Sequence, residues 1–418
     1  MSAQRLIDIR RARFFLQADP RLRTPFLIVD LDQVARRYWE MRDLIPSADV
    51  FYAVKANSSR ALLAHLWQLG SGFDVASAGE LYLVNHVLGI PGERIVFSNP
   101  IKNQDALQMI AACRPRVIVV ASLDGLRQLD QLPVADSSYR PVLLVRMPVR
   151  GSNLNKYGSD EEVIPILRAA DASGRFSKLG LTFHVGTQST SSHKFQEALQ
   201  KCARTIERLA GKVKLDVIDA GGGFPDQRAA SNAAVPYRSI LTDVASYLTR
   251  HLPARTEVFV EPGRALVADA GVIVTQIVAR TETRSRSGGT RCLQIDDSLY
   301  RNLLGQWHDG REWDVHPFTL DENAPLSDEL SDFVITGGSC DGIDQLERKG
   351  KKGHRLPKDI SVGTYGLIDC AGAYTTSTAT CFNGHENSDV VLFSQSGGQL
   401  HSHVERANRP WEDISAAQ

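Results

Sequence analysis

VFYAVKANSSRALLAHLWQLGSGFDVASAGELYLVNHVL, residues 50–88, decides the architecture. Two short apolar runs, Val50–Val54 and Phe73–Ala76, are each followed by a segment of helical periodicity, Arg60–Leu69 and Gly79–Leu88. That alternation is the signature of a βαβ unit, in which parallel strands are joined by a crossover helix. Outward from it, the texture recurs at Ile95–Phe97, Val117–Ala121, Val142–Arg146, Gly180–Val185, Leu215–Asp219 and Glu257–Glu261, with a long amphipathic stretch at Phe195–Leu209. Eight strand-like runs within a little over 200 residues match a (β/α)₈ TIM barrel better than an open doubly wound sheet, which stands as the alternative.

Beyond Arg264 the texture changes. GVIVTQIVAR, RCLQID, DFVITGG, ISVGTYGLID and VVLFSQ are strand-like, with turns rather than helices between them. The polar stretches Asp321–Asp332 and Glu347–Arg355 read as solvated connections. The expected division is a barrel over 31–265 and a β-rich domain over 266–418, with an N-terminal segment, 1–30, adding to the β domain.

The 418 residues carry 48 basic and 48 acidic side chains, and no long run of either sign tracks nucleic acid or anionic lipid. A small-molecule partner is expected. Six cysteines at irregular positions form no CxxC pair and no disulfide framework, which suits a reducing compartment. The first residues, MSAQRLIDIRRARFF, lack an apolar signal core, and no stretch approaches the roughly 20 apolar residues that span a bilayer. The expected location is the cytoplasm, without membrane attachment; no metal site is expected.

In a TIM barrel the active site lies at the carboxyl ends of the strands, so the residues just after each apolar run matter most. Here they are Lys55, Asp74 and Ser77, Ser98-Asn99-Pro100, Arg146, His184, Gly221-Gly222-Gly223 and Glu261-Pro262-Gly263-Arg264. Successive glycines let backbone N–H groups approach an anion, and the loops after strands seven and eight are the recurrent phosphate site of this fold. A tight turn would use the same glycines. Arg264 would add a charged fork. Lys55 at an apolar strand end is costly to bury unless paired or used covalently, as in a Schiff base. The alternative is a lysine that snorkels to solvent. Phosphate would repel Glu261 unless that carboxylate faces a cationic part of the same ligand, such as a protonated pyridine nitrogen.

YAVKAN, GFDVAS with Glu80, FSNPIK, FHVGT, DAGGGFP, EPGR, GGSCDGID and GAYT occur in the order found in fold-type III pyridoxal-phosphate (PLP) decarboxylases. From Pro25-Phe26 to Asn383-Gly384 the chain resembles this group, which acts on ornithine, lysine, arginine or diaminopimelate. Alanine racemases share the barrel but not the C-terminal set. The resemblance implies PLP as cofactor, Lys55 as its Schiff-base lysine, His184 on the ring face and Glu261 on the pyridine nitrogen. It assigns the phosphate to Gly222, Gly223, Arg264, Thr187 and Tyr374, with Thr187 standing where relatives commonly carry Ser. Asp74 and Arg146 line the floor near the lysine, either catalytically or as a structural ion pair. Cys340 corresponds to the cysteine that reaches the substrate α-carbon across a homodimer interface.

Asp341 directly follows Cys340, as in relatives acting on ornithine or lysine, whereas diaminopimelate decarboxylases typically carry Glu there. Asp309 lies nine residues beyond Tyr300, where the ornithine-decarboxylase pattern places a second substrate carboxylate; its alternative is a plain loop residue. RNLLGQWH after Tyr300 and Gly363-Thr364 depart from that pattern. The expected function is decarboxylation of a basic amino acid, ornithine or lysine, as in polyamine biosynthesis. The alternatives are a diaminopimelate-type or specialised biosynthetic enzyme acting on a larger or D-configured diamino acid, and an inactive binding homologue. The last is disfavoured because Lys55, His184, Gly222, Glu261, Arg264, Cys340 and Tyr374 are all present.

Overall fold

The computed structural model describes residues 8–132, 138–149, 157–233, 235–283, 290–351 and 353–408. They divide into two compact units, one running from Ala35 to Leu266 and the other combining the chain up to Val34 with that from Val267 onward.

The strands, in chain order, are β1 (Phe26–Asp30), β2 (Ala48–Ala53), β3 (Gly72–Val75), β4 (Ile95–Phe97), β5 (Val117–Val120), β6 (Val142–Arg146), β7 (Lys178–Thr182), β8 (Val217–Asp219) and β9 (Glu257–Val260). They continue as β10 (Gly271–Thr283), β11 (Thr290–Ile295), β12 (Val315–Phe318), β13 (Leu330–Thr336), β14 (Gln345–Leu346), β15 (His354–Pro357), β16 (Tyr365–Ile368), β17 (Asp389–Ser396) and β18 (Gln399–Glu405).

Strands β2 to β9 are all parallel and close on themselves, with β9 returning to β2 through Ala48↔Val258 and Val50↔Val260. Closure removes the doubly wound alternative, because an open sheet leaves two edges. Phe51, Val96, Val117, Val119, Val142, Leu144, Val217 and Phe259 form a buried cluster contributed by strands of this barrel. At several strand-to-helix junctions a polar residue caps the helix: Ser77 accepts from Glu80 N, Asn103 from Ala106 N, Ser122 from Gly125 N and Asp226 from Ala229 N. Each such cap contributes about 1 kcal/mol and fixes where the loop ends.

In the other unit, β1 lies between β10, antiparallel to it, and β17, parallel to it. All five residues of β1 are buried, which explains why its first four, FLIV, are continuously apolar rather than alternating. Phe15, Phe26, Ile28, Val272, Val274, Leu367, Val391 and Phe393 share one core cluster. Only Tyr365–Ile368 of ISVGTYGLID is strand, and Leu330–Asp332 and His354-Arg355 are strand rather than connection. Partner pairing in β13 and β15, not local apolarity, makes those polar residues extended. No helix among the described residues is long and apolar enough to cross a membrane.

Candidate active site

The carboxyl end of the barrel gathers most of the polar residues named from sequence. Lys55 sits in a single 3₁₀ turn, Val54–Ala56, just past β2, braced by the Tyr52 hydroxyl donating to the Asn57 carbonyl at 3.0 Å. Its Nζ lies 3.4 Å from Oδ2 of Asp74 on β3, a side chain only 1% exposed. Arg146 ends β6 and is buried; burial draws it below the usual guanidinium range, opposed by the negative charges of Glu261, Asp219 and Asp74. His184 lies two residues past β7, where its Nδ1 accepts the Gly186 N–H at 3.1 Å. Burial, then the Lys55 and Arg146 cations, hold its pKa well below the ordinary imidazole value, so the ring is neutral with its proton on Nε2.

After β8 the three glycines are dictated by their neighbours. A Cβ on Gly222 would meet the Glu261 carbonyl at 2.6 Å and His184 Nε2 at 3.3 Å. Gly223 has φ +97, and a Cβ there would strike the Gly186 carbonyl at 2.2 Å. Among the described residues the Gly222 and Gly223 N–H groups donate to no protein acceptor. Two such amides on a loop without side chains make an anion cradle. Arg264, at the start of the next short helix, is buried, and Thr187 is exposed.

Asp74, Asp219 and Glu261 are three buried carboxyl groups in the same site as Lys55 and Arg146. Burial first, then the neighbouring carboxylates, raise Glu261 well above the usual range, and burial lifts Asp219 to about 6. Glu261 Oε1 is enclosed without a hydrogen-bond partner, as is Asp74 Oδ1. An excess of buried acid over base with an open oxygen is a seat for a cationic ligand atom. A group carrying an anion at one end and a protonated ring nitrogen at the other therefore fits these residues. Asp219 was missed as a site residue, although its signal was that of Lys55: an ionisable side chain closing an apolar strand.

The second cluster lies in the other unit. The Tyr300 hydroxyl donates to Asp341 Oδ2, and Ile343 N donates to Oδ1 at 3.2 Å; these bonds hold Asp341 below the usual carboxylate range, hence ionised. Tyr300 is fixed in turn by stacking on Phe382 at 4.2 Å and by an edge contact with Trp307 at 5.0 Å. Cys340 is exposed, and its N–H donates to Asn383 Oδ1 at 3.0 Å. Buried Asp344, also missed, organises the GGSCDGID turn by accepting from Ser298 Oγ, Leu299 N and Ser339 N. Asp309 ends the short helix Gly305–Asp309; its nearly enclosed carboxylate meets His308 Nδ1 at 2.6 Å, so it is not a free loop residue. Tyr374 has φ +55 and stacks with His308 at 6.3 Å.

Residues 31–268 match the family described as pyridoxal-dependent decarboxylase, pyridoxal binding domain. The chain belongs to this family. It is an enzyme, a carboxy-lyase whose cofactor is PLP. The lysine/ornithine decarboxylase of Selenomonas ruminantium is 33% identical over 384 residues, covering 89% of this chain and 90% of that protein. A crystal structure of lysine decarboxylase from the same organism superposes with a TM-score of 0.79 at 30% identity, over 92% of this chain and 96% of that one. The lysine/ornithine decarboxylase of Vibrio vulnificus, solved with cadaverine, gives 0.79 at 26% identity over 93% and 97%. This decarboxylase thus has relatives of the fold-type III group along nearly its whole length.

Proposed function

We propose that this decarboxylase removes CO₂ from lysine or ornithine in the cytoplasm, as a homodimer whose sites combine the barrel of one protomer with the β unit of its partner. The observation that carries the substrate reading is Asp341, an ionised carboxylate beside Cys340 and pinned by Tyr300. Its charge suits a distal ammonium and opposes a distal carboxylate. Names of the relatives support the same class. All six cysteines are free, which suits the reducing compartment.

Bound PLP supplies an electron sink for the pair released when the Cα–carboxylate bond breaks. The chain's residues do the rest. Lys55 would hold the cofactor covalently, Gly222, Gly223, Arg264, Thr187 and Tyr374 would hold its phosphate, and neutral His184 would cover its ring without competing for its charge. Glu261 would take the ring nitrogen, with Asp74 and Arg146 flanking Lys55. Cys340 returns a proton to Cα from Sγ, Asp341 reads the distal ammonium, and Asp309 with Tyr300 supports it. A product assay over lysine, ornithine, arginine, diaminopimelate and D-isomers tests the reading. Preference for diaminopimelate would remove the substrate assignment while leaving decarboxylation intact.

Glu261→Gln is expected to retain PLP, seen by absorbance, while turnover falls by about two orders of magnitude, the scale of losing one preorganised electrostatic partner. An unchanged rate would place Glu261 away from the ring nitrogen.

The dimer reading draws support from the exposed apolar side chains Trp307, Ile343 and Phe382 in the segments that carry Tyr300, Cys340 and Asp341. Apolar surface gathered around reactive groups marks an interaction face. Mixing inactive Lys55→Ala and Cys340→Ala chains should restore about a quarter of wild-type activity, since half of randomly paired dimers are mixed and each holds one intact site. Absence of recovery after demonstrated subunit exchange would mean that each site is built within one chain.

A further inference from the structure

We infer that Asp219 is a positioning residue which keeps a proton on Glu261 and so readies that carboxyl for a basic ring nitrogen. The inference rests on the reading that Glu261 faces the nitrogen of PLP.

Asp219 ends β8 fully buried, and it is tied at both oxygens: Oδ1 accepts the Gly221 N–H at 2.8 Å and Oδ2 the Thr182 hydroxyl at 2.9 Å. Glu261, itself nearly enclosed, lies just past the neighbouring strand β9, where Asp219 pairs with Phe259 and the Glu261 N–H donates to the Gly221 carbonyl at 2.8 Å, so the two carboxyl groups act on each other. Two interacting carboxyl groups in a closed space cannot both ionise at low cost, so the pair retains one proton. Both oxygens of Asp219 are already acceptors of protein hydrogen bonds, which favours its ionised form. The retained proton therefore resides on Glu261. The order of the shifts agrees, with Asp219 at about 6 and Glu261 well above the usual range.

The surrounding charges leave that order in place. Asp74 on β3 adds negative charge, Lys55 and Arg146 add positive charge, and His184 is neutral. Glu261 thus presents an acidic proton together with the unpartnered Oε1. On meeting a pyridine nitrogen, Glu261 gives up this proton to it and becomes a carboxylate; no proton is needed from solvent, and Asp219 stays ionised throughout. The charge of Asp219 then adds to that of Glu261 in holding the protonated nitrogen. This gives a physical reason for the aspartate at the head of DAGGGFP: its Oδ1, by accepting the Gly221 N–H, sets the glycine loop, and its charge acts on Glu261.

The test compares PLP with its carbocyclic analogue, in which CH replaces the ring nitrogen, by equilibrium dialysis against cofactor-stripped full-length protein. The wild type should bind PLP more tightly than the analogue. Asp219→Asn should cut that ratio roughly tenfold, equivalent to one unit of proton affinity at the nitrogen, while affinity for the analogue is retained. Thr182→Val, which removes one anchoring donor, should move the ratio the same way by less. An unchanged ratio in Asp219→Asn, or in Thr182→Val should the first variant not fold, overturns the inference. So does an equal loss of both ligands, which is the mark of a merely structural role. Glu261→Gln separates the two levels: a ratio unaffected by that substitution overturns the placement of Glu261 itself, whereas one that collapses there but survives Asp219→Asn overturns only the role of Asp219.

Discussion

Lys55→Ala is expected to leave less than about 1% of wild-type turnover, because losing a positioned proton carrier alone costs roughly 10²- to 10⁴-fold. The same substitution removes the amine proposed to hold PLP covalently, so absorbance near the visible edge should shift as well. The physical basis is the position of Lys55 just past β2, with Nζ 3.4 Å from Asp74 Oδ2. That pairing keeps an amine at the site without excluding ligand, since the side chain remains 40% exposed. Near-normal turnover in Lys55→Ala, with the protein folded, would sink the assignment of this lysine.

Asp341→Ala is expected to lower kcat/KM for lysine and ornithine at least about tenfold, since truncating one partner of a charge pair enclosed by a bound substrate weakens the complex. PLP occupancy should be untouched, because the residue is assigned to the substrate. Two bonds orient the carboxylate, from the Tyr300 hydroxyl and from Ile343 N, and both keep it ionised. Tyr300→Phe removes the first bond and should reproduce a smaller part of the loss, mainly in KM. An Asp341→Ala variant with unaltered preference among lysine, ornithine and diaminopimelate would show that selectivity is set elsewhere.

The eight-strand barrel was legible in the chain because parallel strands buried on both faces must be apolar throughout. Runs such as Val117–Val120 and Val142–Arg146 therefore stand out against the amphipathic segments between them. The residues closing those runs were legible for a related reason: an ionisable side chain at an apolar strand end needs a partner or a task. Strand β1, the polar start of β13 (Leu330–Asp332) and β15 were not legible. Their extended form comes from partners distant in sequence, as in Phe26↔Val274, Phe26↔Asp389 and Phe333↔His354.

The sequence by itself determined the barrel, the family and the residue types available to the chemistry, since periodicity and motif order are local properties. Tertiary structure alone decided which of those residues act on one another. Closure of β9 on β2 makes a ring of strand ends, so Asp74, Asp219 and Glu261 crowd one buried space and must share their charge. Residues 74, 219 and 261 are far apart along the chain, and neither periodicity nor motif order carries the distance between their carboxyl groups. That distance, and the low dielectric around it, set which carboxyl group carries the proton.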